Sequence, residues 1–101
     1  MDQVLKAAFI FIAPEANPKE HRNWTFTPKV HLLSVGVKNY AEAEAVAKEL
    51  VEKEGIGAIE LCGGFGNAGT ARIAAAVKVP VGAVRFDIHP GLGNASGDTL
   101  F

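Results

Sequence analysis

The stretch Lys6-Ala7-Ala8-Phe9-Ile10-Phe11-Ile12-Ala13 limits the possible folds more than any other, because every position after the lysine is apolar. In an extended chain successive side chains point to opposite sides, so Phe9 and Phe11 face one way and Ile10 and Ile12 the other. Both faces of such a strand need cover, as in a parallel sheet held between layers. Read as a secretory core, the run lacks a positive start, since Asp2 precedes it, and it falls far short of the roughly twenty residues that cross a bilayer. A buried strand of an α/β protein is the expectation.

The rest of the chain reads as one domain of that class. With 101 residues and 49% of them hydrophobic, there is material for one core and no room for a second. Ten Lys and Arg against eleven Asp and Glu give a net charge of -1, which supplies no long-range positive field for nucleic acid or an anionic membrane. Cys62 is the single cysteine, so neither an internal disulfide nor a multi-cysteine metal cluster can form, and a reducing, cytoplasmic setting is expected.

Asn17-Pro18-Lys19-Glu20 places a capping residue before a proline, which predicts a short helix to about Asn23 within a crossover ending at Pro28. Val30 to Val37 is a second strand, apolar on both faces. Asn39 caps a helix over 40–54, in which Glu42 can reach back to the cap. Ala43, Val46, Ala47, Leu50 and Val51 form its buried stripe, with Glu44–Lys48 and Glu49–Lys53 as supporting pairs. Gly55 ends it, and a third strand follows over 57–63. A second helix over 67–78 is so rich in alanine that its apolar surface suggests contact with another subunit, and 81–86 makes a fourth strand. The expected order is βαβαβαβ: a mostly parallel, four-stranded, single-layer sheet flanked by helices, in a homo-oligomer of two or more chains. Residues 90–101 read as a Gly-rich loop or tail.

The turn after the third strand holds the clearest candidate site. Gly64, Gly66 and Gly69 match the spacing G-x-G-x-x-G between a strand and a helix, where free N–H groups and the helix dipole favour an anion. Asp87, eighteen residues past Gly69, falls near where a dinucleotide fold puts its ribose acid. Only one strand follows, however, so two nucleotide-binding halves do not fit. A small phosphate or carboxylate held by Gly63, Gly64, Phe65, Gly66, Asn67, Gly69 and Thr70 is the expected guest. Tight packing is the bland alternative.

Polar residues gather at the ends of the last two strands, where open parallel sheets bind ligands. Alternation puts Glu60 with Cys62 and Arg85 with Asp87, and Arg85 is the natural partner of either carboxylate. Beside a helix start Cys62 could act as a nucleophile, with His89 as its base and Asp87 orienting the ring, although a lone strand cysteine also serves as a small hydrophobe. A metal on Asp87, His89 and Glu60 has no HxH or CxxC spacing behind it. His21 and His31 read as surface or packing residues. Trp24 and Phe26 read as cover for the sheet or a dimer contact rather than a platform for bases.

Ala7-Ala8-Phe9-Ile10-Phe11, the run from Val35 to Tyr40, Ile59-Glu60-Leu61-Cys62-Gly63-Gly64-Phe65-Gly66 and the run from Val81 to Asp87 together resemble a small bacterial family of unknown function. That family is about as long as this chain. The resemblance implies no activity, cofactor or catalytic residue. Residues 57–87 are also similar to strand-helix-strand units of phosphate-handling (β/α)8 barrels, which would make four such units half a barrel. Two functions stay open: an enzyme that holds an anion at the glycine turn and moves protons with His89 or Asp87, and a binding or sensing module using the same pocket. A purely structural oligomer is the third reading.

Overall fold

The computed structural model describes residues 3–101. Its sheet has five strands: β1 (Leu5–Ile12), β2 (Arg22–Phe26), β3 (Val30–Val37), β4 (Ala58–Leu61) and β5 (Val81–Ala83). Two helices, α1 (Tyr40–Glu54) and α2 (Asn67–Ala76), follow β3 and β4. The sheet order is β2-β3-β1-β4-β5, parallel throughout except that β2 runs antiparallel to β3.

The fifth strand corrects the four-stranded expectation. Asn17 does start a turn, accepting the Lys19 N–H on its side chain and the Glu20 and His21 N–H groups on its carbonyl. The predicted helix to Asn23 does not follow, because Arg22–Phe26 pairs with β3 and lays the Trp24 ring against the core. Tertiary pairing outweighs a local helix signal that is one turn long. Phe26 stacks on Trp24 and stays 66% exposed, at the sheet's edge.

One face of the sheet carries the core. Ala8, Ile10, Leu33, Val35, Val37, Ile59 and Leu61 point toward α1 and α2 and are essentially inaccessible. α1 spans 40–54 as its pattern predicts; Asn39 caps it by accepting the Glu42 N–H, and Gly55 closes it at φ 70°. Glu42 reaches one residue further back than the cap, accepting the Lys38 N–H. Glu44 pairs with Lys48 as expected and also with Arg72 of α2, whereas Glu49 is drawn to Arg22 rather than to Lys53.

The opposite face is only partly covered, contrary to the two-sided burial expected of β1. Phe9 and Phe11 are half-buried there and stack on each other, and Ala16 closes over Gly36 beside Phe11. Glu60 is exposed on that face and forms no ion pair among the described residues, so Arg85 is not its partner. Nor is the sheet half of a barrel. Barrel strands neighbour one another in chain order, whereas β1 here lies between β3 and β4.

This one-sided core makes a direct prediction. Ile10→Ala should lower unfolding stability by about 2–5 kcal/mol, while Glu60→Ala, on a neighbouring strand but on the open face, should change it by no more than about 0.5 kcal/mol. Urea denaturation at constant slope measures both.

Candidate functional site

The turn between β4 and α2 does carry the amides the sequence points to, and the chain itself occupies them. Asp98 returns from the C-terminal segment and accepts the Ala68 N–H on Oδ2 and the Gly69 N–H on Oδ1, each at 3.0 Å. The Tyr40 hydroxyl donates to Asp98 Oδ1 at 2.8 Å and accepts the Gly66 N–H at 3.0 Å. Gly66, the residue capping α2, has no side chain to offer, so Asp98 serves as the cap from a distance. The anion expected at this helix start is an internal carboxylate.

The glycine spacing follows from the same contacts. A Cβ on Gly66 would run into the Asp98 carboxylate, and one on Gly69 would run into the Tyr40 ring. Gly97 lies so close to the Gly64 carbonyl that no side chain fits there either. The G-x-G-x-x-G pattern therefore serves close approach of the protein's own groups. Partial desolvation raises the Asp98 carboxyl, but the N–H groups of Ala68, Gly69 and Asn67 and the Tyr40 hydroxyl together hold it below the usual carboxylate range. Burial, opposed by the Gly66 N–H and reinforced by Asp98, pushes the Tyr40 phenol from 10.0 to about 12.

Most of the other candidate residues line two cavities on either side of this turn, and Glu60 and Asp87 line neither of them. Phe65, Asn67, Thr70 and Arg85 line one of about 320 Å³ between α2 and β5. Arg85 donates there to Asn67 Oδ1 and pairs with Asp87, both side chains being well exposed. Cys62, Gly63, Gly64 and His89 line the second, of about 410 Å³, together with Lys38 and an apolar wall of Ile12, Pro14, Leu92 and Phe101. Lys38, Ile12, Phe101, Tyr40 and Asp98 were not among the sequence candidates. The pattern Ser96-Gly97-Asp98, in which Ser96 Oγ accepts the Asp98 N–H, was the available signal for the last of these.

The second cavity lies outside the carboxyl ends of β1 and β4. The chain leaves β1 toward β3 and leaves β4 toward β5, so the two departing loops diverge and open a crevice between them, the usual place for a ligand in an open α/β sheet. The C-terminal segment roofs it with the short 3-10 turn Pro90–Leu92 and with Phe101, and a second such turn, Gly97–Thr99, lies against Gly64.

A Cys62–His89–Asp87 relay is not assembled. His89 Nδ1 accepts the Gly91 N–H at 2.9 Å, and Asp87 turns to Arg85. That bond places the proton of the neutral imidazole on Nε2. Cys62 Sγ accepts the N–H groups of Ile12 and Gly64, at 3.3 and 3.2 Å, tying the end of β1 to the glycine turn after β4. No group of three or more His, Cys, Asp or Glu side chains able to hold a metal occurs among the described residues, so Glu60, Asp87 and His89 do not converge. No helix among them is long and apolar enough to cross a membrane.

Fold and cavity together define a small α/β protein with a mixed five-stranded sheet and a crevice at its topological switch point. Residues 5–99 match the model of a family of unknown function, DUF6506, and the chain belongs to that family. Neither the curated proteins nor the solved structures contain a significant match.

Removing the Asp98 carboxylate tests the cap. Asp98→Ala should cost about 0.5–2 kcal/mol, the usual range for a lost helix cap. Because its folded pKa is depressed, the charge of Asp98 stabilises the fold above the unfolded carboxyl pKa, and that contribution disappears as pH falls through the folded value. Thermal melts of the wild type and Asp98→Asn should therefore differ at pH 7 and converge in strong acid.

Proposed function

We propose that the chain binds a small, largely apolar carboxylate in the crevice beyond β1 and β4, as a binding or sensing module. The observation that carries this reading is the cavity of about 410 Å³ at the switch point, within the size range of small-molecule sites. Its wall of Ile12, Pro14, Leu92 and Phe101 suits an apolar body. Its polar groups are few: the Lys38 ammonium and the Nε2–H of His89 offer one anionic group a charge and a donor.

This modifies the anion reading of the glycine turn. A phosphate, with several oxygens to satisfy, needs the row of amides that Asp98, Tyr40 and Cys62 already engage. A monocarboxylate needs fewer donors. The exposed Lys38 can turn to it from the partly buried Glu42, with which it makes an i,i+4 pair at 3.3 Å that stabilises little. With Asp87 tied to Arg85, the arrangement favours capture over turnover, and His89 acts as a donor to the ligand.

The test uses hexanoate, benzoate and inorganic phosphate as probes in thermal melts and amide NMR titrations. Either carboxylate at about a hundred times its Kd should stabilise the fold by about 2.7 kcal/mol and shift the Gly63, Gly64 and Gly91 amides, whereas phosphate should do neither. Lys38→Met and His89→Ala should each weaken binding about tenfold, as expected for the loss of a charge-assisted contact. No response to either carboxylate overturns the reading.

A further inference from the structure

The segment that follows β5 carries a pattern that the cavity does not use. β5 is the last strand of the sheet and pairs only with β4. After Val84, whose N–H reaches the Leu61 carbonyl, no backbone hydrogen bond among the described residues engages Arg85, Phe86, Asp87 or Ile88. Val84, Phe86 and Ile88 are 51%, 40% and 60% exposed, a large apolar share for five consecutive residues. Arg85 and Asp87 alternate with them, at 60% and 77% side-chain exposure, and bond to each other. Unpaired edge backbone with exposed apolar side chains is a template for another strand.

The charge order says which strand. We propose that residues 84–88 pair antiparallel with the same residues of a second copy, Phe86 opposite Phe86, giving a two-fold symmetric dimer with a continuous sheet. In that register Arg85 of each chain faces Asp87 of the other, and Val84 faces Ile88. Sliding by one pair sets Arg85 against Arg85 or Asp87 against Asp87, and parallel in-register pairing sets each charge against its like. Only the arrangement centred on Phe86 exchanges both exposed internal pairs for two intermolecular ones while joining six apolar side chains. Pairing straightens the bend at Asp87 and Ile88. The sheet's other edge, β2, reads Arg-Asn-Trp-Thr-Phe and has no acidic residue to answer its arginine. Testing the dimer needs no ligand, although Phe86 also packs on Gly63 and the His89 ring beside the crevice.

Sedimentation equilibrium of the full chain tests this. The wild type should dimerise, and Arg85→Asp and Asp87→Arg should each weaken the dimer by at least about tenfold, because each creates two like-charge contacts. Mixing the two single variants should produce a heterodimer, and the double variant Arg85→Asp, Asp87→Arg should dimerise like the wild type. Circular dichroism checks that each variant is folded, and the double variant keeps the test open if one single variant is not. A wild type that stays monomeric at every concentration, single variants that dimerise as tightly as the wild type, or a double variant that stays monomeric would each overturn the proposal.

Discussion

Amides at the start of a helix carry partial positive charge and lack partners in the helix, and α2 starts on a glycine that can offer them nothing. Asp98 supplies the missing acceptor from thirty positions downstream of Ala68. Because the carboxylate also takes the Tyr40 hydroxyl, it joins the start of α1, the start of α2 and the C-terminal segment at one point. The same tie holds down the segment carrying Leu92 and Phe101, so the roof of the crevice depends on a helix cap. Loop and helix are stabilised by one set of hydrogen bonds.

The crevice owes its place to topology. With β1 in the centre and the chain leaving its end in the opposite direction from β4, Ile12 and Pro14 on one side and Cys62, Gly63 and Gly64 on the other frame an opening that no helix fills. Cys62 then has a structural task. Its sulfur takes one N–H from the end of β1 and one from the glycine turn, joining the two sides of the opening, while the wall stays apolar enough to admit a hydrocarbon body.

Where the sequence carries strong periodicity, it is a good guide. α1 spans 40–54 and β3 spans Val30–Val37 because capping, stripe and flanking glycine all agree there. It misleads where a short local signal competes with pairing, as when Asn17-Pro18 suggests a helix and Trp24 pulls the chain into β2. The glycine turn is legible as a place of close approach, but what approaches is not, since Asp98 lies in a segment that reads as loose tail. Apolar alternation in β1 shows that both faces bear large side chains without showing that one face is covered only by Phe9, Phe11 and a loop. Nor does it show that Glu60 shares that face.

The central place of β1 also bears on the order in which the chain is made. Its first partner, Val30 opposite Leu5, emerges after a gap of connecting residues, and its second, Ala58 opposite Ala7, only after all of α1. The most apolar strand is thus synthesised early and enclosed late. Folding must wait for distant segments before this strand gains its neighbours, which implies slow assembly and a nascent chain with sticky segments in need of shielding.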